Sequence, residues 1–403
     1  MTNYLSSFNE DVLKNAISLS SFQDMLINAT QQLLENILQT IESIFFVSKQ
    51  STIPQLVHLL FIASEYRYLK VPYYCYILQK IIETHQDELL TAKIKKSLLH
   101  SFIQPATIHN ARCFFIRSCM KTGILTPEEI VDTIHKHYLM RPSNPDRLIY
   151  SFCWFCPEIE SLNNPLFNTI LTSFNQNVQS GMIIPMFVNF LRIFEPLSSN
   201  NWQIYHTCCQ YGFNPDRYAI IICRDEVEVL KTEFEKSNDD PNEYVIPECV
   251  FDCTHILSES KPSLLQVAAY FGSMKCFDYL LSIGSDIRFQ SDQRHSLLMF
   301  AVAGGSLEMI KKVIAIEEEK AHHKVNMNKV LETAARFHQN EVFYFLLDRS
   351  IKNRYLTSER EYYQLIINDC VISNNLSLLI KSLEKGVDIN HSDICKVFNS
   401  IFF

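Results

Sequence analysis

Two cysteine arrangements in this chain have the spacing of reactive or metal-binding sites. Cys153-Trp-Phe-Cys156 places two thiols three residues apart. Such a dithiol reacts when it follows a strand and opens a helix, where the helix end lowers the thiol pKa. Here it falls late in a helical segment, Arg147 to Phe155, ahead of Pro157 and among aromatic residues. It is therefore expected to pack in a core. Cys249-Val-Phe-Asp-Cys253-Thr-His255 offers three ligands of zinc type, but no fourth lies at suitable spacing. The Val and Phe between them mark a buried connecting segment instead. His135 and His137 are two apart on a helix and do not share a face. His322-His323, close to Glu317-Glu-Glu319, reads as a solvated turn.

The chain has only 8 glycines, too few and too scattered for a phosphate loop, a dinucleotide fingerprint or a Gly-x-Ser-x-Gly elbow. No catalytic residue, cofactor or metal ligand is expected. The Asn-x-Ser/Thr sequences at Asn28 and Asn375 both lie in helical segments of a chain without a secretion signal and read as coincidence.

The elements that would carry a site are helices. Among 403 residues, 47% are hydrophobic and 20% charged, enough apolar material for two packed domains. Few glycines and 14 prolines disfavour a sheet built from tight hairpins. The net charge of −8 counts against a dedicated nucleic-acid binder and against adhesion to anionic membranes. The 13 cysteines are odd in number and irregularly spaced, and Met1 leads into polar sequence with no signal peptide. Reduced thiols in a cytoplasmic protein are expected. No apolar run reaches the length of a membrane span.

Self-comparison yields a repeat. Segments beginning at Ser263, Ser296 and Lys329 align without a gap, 33 residues apart. Ala268, Ala301 and Ala334 share one position, where neighbouring helices leave no room for a larger side chain. Gly272 and Gly305 fall at the turn between two helices, where a left-handed residue ends the first. Leu280-Leu281, Val313-Ile314 and Leu346-Leu347 form the buried rung of the second helix. Leu365 to Leu383, followed by Gly386, reads as a degenerate fourth unit. Asp225 to Phe234 aligns with Gly305 to Ile314 as a candidate first one, and Ile394 to Phe402 as a partial cap.

In these residues the chain resembles the ankyrin family, whose pattern runs Thr-Pro-Leu-His-x-Ala-Ala, Gly, a Leu-Leu pair, then Gly-Ala-Asp. Leu264 and Leu297 stand in place of the Pro, and Gln266 and Met299 in place of the His. The hydrogen bonding of that turn is expected to be weaker. A helical N-terminal region ahead of such repeats also resembles the large divergent ankyrin families of unicellular parasites.

Residues 1–212 lack the period and read as nine or ten helices arranged in hairpins. Ser21 is expected to open a long helix carrying Leu26, Leu33, Leu34, Ile37, Leu38, Ile41, Ile44 and Phe45 on one stripe. Pro54 marks the first turn of the next helix, and Thr126-Pro-Glu-Glu129 forms a capping box. Residues 213–262 are expected to bridge to repeats spanning 263–403. The fold class is all-α: a helical-hairpin region followed by an ankyrin solenoid.

The resemblance implies a non-catalytic scaffold or adaptor that binds a protein partner on its concave face and hairpin tips. The residues expected there are Arg288, Gln290, Asp292, Gln293 and Arg294 in the first loop, and Lys324, Asn326 and Asn328 in the second. Tyr270, Phe271, Arg336 and Phe337 would contribute on the helix face. Phe271 and Phe337 equally suit packing between repeats. A self-masked regulatory module and an enzyme with a catalytic N-terminal half are the competing readings.

Overall fold

The computed structural model describes residues 10–46, 52–103, 110–142, 148–179, 185–258, 260–291, 293–320, 326–352 and 358–387; among them there are helices and turns but no strand. The chain forms two compact units. A repeat unit comprises Met1–Asn28, Arg217–Ile246 and Glu259–Phe403, and a helical unit comprises Ala29–Asp216 and Pro247–Ser258.

The repeat unit contains α1 (Glu10–Ile27), then α12 (Arg217–Cys223) and α13 (Val227–Ser237). It continues with α15 (Leu264–Phe271), α16 (Met274–Ser282), α17 (Leu297–Gly304) and α18 (Leu307–Lys320). Last come α19 (Met327–Arg336), α20 (Asn340–Lys352), α21 (Glu359–Ile372) and α22 (Leu376–Glu384). From α12 onward the helices form five antiparallel pairs. The first helix of each pair packs on the first helix of the next, α12 on α15, then α17, α19 and α21. Ala268, Ala301 and Ala334 are fully buried at these contacts, and Cys370 takes the same position in the last pair. Each pair turns through one left-handed residue: Asp225, Gly272, Gly305, His338 and Asn374 have φ of 54°, 68°, 85°, 54° and 55°. Three of the five are not glycine, and Asp and Asn tolerate this region best.

α1 packs against α22 at the far end of the array. Its Gln23 is fully buried. The side-chain amide donates to Asn374 O at 2.9 Å and accepts from Leu376 N–H at 3.0 Å. One side chain thus pairs a turn carbonyl and one of the N-terminal donors that a helix cannot satisfy by itself. Asn340 donates to Asp24 Oδ1 at 3.1 Å. This corrects the single long helix expected from Ser21 to Phe45. The first helix begins at Glu10 and breaks at Asn28, Ala29 and Thr30. The apolar stripe is continuous in sequence but serves two cores, because residues through Asn28 join the repeat unit and those from Ala29 on join the helical unit.

The helical unit contains α2 (Leu34–Ile41), α3 (Ile53–Tyr66), α4 (Val71–His85), α5 (Glu88–Phe102), α6 (Asn110–Lys121) and α7 (Pro127–Met140). It continues with α8 (Ile149–Leu162), α9 (Asn164–Gln179), α10 (Pro185–Arg192), α11 (Phe194–Cys208) and the short α14 (His255–Ser258). Pro54 lies in the first turn of α3, as expected. The Thr126–Glu129 capping box forms with bonds of 3.2 and 2.8 Å. The Cys153/Cys156 pair is buried in α8, which kinks at Phe155 ahead of Pro157. Both thiols are held protonated by burial, well above their ordinary pKa.

The Pro247–Ser258 segment runs through this unit as a strap that turns at Val250 and Phe251 and ends in α14. Three asparagines hold its backbone: Asn214 donates to Pro247 O at 2.7 Å, Asn189 to Glu248 O at 3.0 Å and Asn110 to Asp252 O at 3.0 Å. Phe251 of the strap meets Trp154, Phe190 and Tyr205 edge-on. The buried connecting segment read from Cys249 to His255 is thus a structural strap. Such side-chain amides satisfy strap carbonyls that water cannot reach. Arg117 is also buried here. It donates to Trp154 O at 2.8 Å and His206 Nδ1 at 3.1 Å, and pairs with Glu158 at 3.3 Å.

Candidate protein-interaction face

The face is built on the N-terminal turns of the first helices. Ser263 caps α15 by accepting from Gln266 N–H at 3.3 Å, and Gln266 Oε1 accepts from Ser263 N–H at 3.0 Å. The other end of the Gln266 amide donates to Phe289 O at 2.9 Å and His295 O at 3.4 Å. Gln266 therefore ties the helix start to the hairpin loop. The weakened turn expected from the His replacement does not occur in this repeat, because an amide has both a donor and an acceptor to offer. In the next repeat Met299 provides only its backbone N–H, which Ser296 caps at 3.4 Å.

At the other end of the first helices, equivalent positions run Tyr270, Ala303, Arg336, Ile372 and Phe271, Gly304, Phe337, Ser373. Tyr270 and Phe271 are half-buried, with ring centroids 5.1 Å apart at 84°. Arg336 is exposed and Ile372 is 69% exposed. Phe337 is buried and contributes packing beneath this surface. Gly304 sets the spacing: a Cβ there would lie 1.8 Å from Tyr270 O. Only hydrogen fits, so α15 and α17 approach backbone to backbone at this end.

Beside Arg336 sits an acidic pair from adjacent first helices. Asp369 is pushed up to about 6, first by burial and then by the charge of Glu332, with Arg336 and Lys329 pulling it back. Lys329 bonds Glu332 across one helical turn.

In the first hairpin loop Arg288, Gln290, Gln293 and Arg294 are all exposed. Arg288 lies 3.6 Å from Asp286, whose carboxylate also accepts from the Arg288 N–H at 2.9 Å. Arg294 adopts φ +58°, with its N–H bonded to Ser291 O at 2.7 Å. In the second loop Asn326 caps α19 by accepting from Lys329 N–H at 3.4 Å, and Asn328 is half-buried. Asp292 and Lys324 lie outside the described residues, as does the partial cap expected at Ile394 to Phe402. Sequence reasoning missed Ile372, Asp369 and Glu332. The 36-residue step into the last unit hid the equivalence of Ile372 with Arg336.

The helical unit has a concavity of its own, about 350 Å³, between α10 and the strap, lined chiefly by Phe190, Ile193, Pro215, Pro247, Val250 and Phe251. Among the described residues no group of three or more His, Cys, Asp or Glu side chains is placed to hold a metal ion. Likewise, no helix is long and apolar enough to cross a membrane.

Residues 265–355 match the family model of ankyrin repeats in three copies. No curated protein matches the chain. With the paired helices, the left-handed turns and the buried alanines at one fixed position, residues 265–355 are three ankyrin repeats, a type of array that serves as a protein-interaction module.

Proposed function

We propose that the protein is a non-catalytic scaffold or adaptor that binds a protein partner through the first helices and hairpin tips of its ankyrin array. The observation that carries this reading is the division of labour within each repeat. Groups that hold the frame, such as Ser263, Gln266 and Ala268, are buried, while Arg288, Gln290, Gln293, Arg294 and Arg336 project from it. Aromatic and Arg side chains on a rigid frame are the usual anchors of an interface. The proposed contact set is Tyr270, Phe271, Arg288, Gln290, Asp292, Gln293, Arg294, Lys324, Asn326, Asn328 and Arg336, with Phe337 supporting it from below. Burial of many thiols in unbridged form supports a reducing compartment, and we place the protein in the cytoplasm.

Site-specific crosslinking tests the reading. A photoreactive residue is introduced at Arg294 or at Arg336 of the full chain, and at Glu308 on second helix α18 as control. The same partner captured from both array positions and not from Glu308 is the expected result. Equal capture from Glu308, or capture from none of the three, overturns it.

A further inference from the structure

The two sulfurs of Cys75 and Cys119 lie 3.8 Å apart in the interior of the helical unit. Cys75 is in the first half of α4 and Cys119 in the last turn of α6, two helices that pack on each other. Both residues are fully buried. The seam beside them is pinned: Gln79 of α4 donates to Thr122 O at 2.8 Å. The backbone at Cys119 is fixed as well, because its carbonyl accepts from Ile124 N–H at 3.0 Å and Leu125 N–H at 3.2 Å. A disulfide needs its sulfurs at about 2.05 Å, so roughly 1.8 Å must close between two side chains that already touch.

We propose that Cys75 and Cys119 are a peroxide-sensitive pair that forms a reversible disulfide joining α4 to α6. The oxidant is a small hydroperoxide. One sulfur attacks the O–O bond and becomes a sulfenic acid, releasing hydroxide that takes up the thiol proton as water. The second thiol then attacks the sulfenic sulfur, forming the S–S bond and expelling a second water. Two thiols lose two hydrogens and one hydrogen peroxide becomes two waters. A neighbouring thiol at 3.8 Å captures the sulfenic acid before a second peroxide does, so the pair stops at the disulfide. Burial holds the Cys119 thiol well above its ordinary pKa, so little thiolate is present and the first step is slow. Oxidised glutathione is too bulky to react in this interior, which sets a hydroperoxide apart from a thiol-exchange route.

The test treats the full chain with hydrogen peroxide, blocks remaining thiols, and maps peptides without reductant. The expected result is a peptide pair linked through Cys75 and Cys119, two hydrogens lighter than its parts and split by dithiothreitol. The bridge closes a loop of 44 positions, so the treated protein should melt ~5–10 °C higher than the treated Cys75→Ser variant. In Cys119→Ser, whose added hydroxyl is smaller than the thiol, Cys75 should instead advance to the sulfinic acid. Recovery of both cysteines as free thiols or as separate sulfinic acids in the wild type would overturn the proposal. So would preferential pairing of either with the partly exposed Cys208 or Cys223, or a fall in melting temperature on bridging.

Discussion

Gln23 and Leu376 are 353 positions apart in the chain and joined by a 3.0 Å hydrogen bond, the Leu376 N–H donating to Gln23 Oε1. With the second bond of the same side chain, to Asn374 O, this makes α1 the terminal cap of the array. Ends of repeat stacks need such covers, since their last face has no neighbour. Gln23→Ala leaves a buried N–H and a buried carbonyl unpaired, and should destabilise the protein by about 1–3 kcal/mol. Urea unfolding measures this. An unchanged midpoint would mean that water or a neighbour replaces the amide.

Gly304 tests the close approach of α15 and α17. Gly304→Ala pushes a methyl into the Tyr270 carbonyl, and overpacking of this kind costs roughly 1–3 kcal/mol or more. Gly284 has φ +92° and open space around its hydrogen, so Gly284→Ala carries only conformational strain, about 1 kcal/mol. Thermal melts should rank Gly304→Ala as the worse of the two; the reverse order contradicts the packing described.

Two titrating groups should give opposite pH slopes. Burial first, and then the Arg117 charge, hold the His206 pKa below its ordinary 6.5, and His206 Nδ1 accepts a hydrogen bond from Arg117. Folding therefore favours neutral His206. Its contribution is fully present above pH 6.5 and is lost as the pH falls through the depressed folded value. His206→Gln should flatten the acid-side loss of stability. Glu317 is pushed up to about 7 by burial, despite a hydrogen bond from the Leu298 backbone. Folding favours its protonated form, with the benefit full below pH 4.5 and gone above pH 7. Glu317→Gln should therefore raise stability at pH 8, by roughly 1 kcal/mol after allowing for its partial exposure, with little effect at pH 4. Equal effects at both pH values would remove the carboxylate as the cause.

The repeats were legible because their signal is local. A period of 33, alanines where helices touch and glycines where they turn are all imposed by neighbours in sequence. The turn residues His338 and Asn374 were harder to read, since a non-glycine residue in the left-handed region leaves no compositional mark. The role of α1 was not legible at all. Nothing in Gln23-Asp24 points to a surface some 350 residues away, and the apolar stripe running on into α2 suggested one helix where packing made two. Asn110, Asn189 and Asn214 are similarly mute in sequence, because each binds a backbone carbonyl and needs no partner of particular type. On the candidate face the exposed loop residues were recognisable from the repeat register. The Glu332–Asp369 pair was not, because its proximity depends on the stacking of α19 on α21.

Binding of a protein through the loop and helix-end side chains of the array is read out by quantitative affinity capture with the full chain. Wild type is compared with the triple variant Arg288→Glu/Arg294→Glu/Arg336→Glu, and both are matched for melting temperature. These three arginines are exposed, and the matched melting temperatures control for loss of the Arg336 charge beside Asp369. A discrete set of proteins captured by the wild type should fall at least ~10-fold with the variant, about 1.4 kcal/mol or more of binding energy. An identical set captured by both proteins would contradict it.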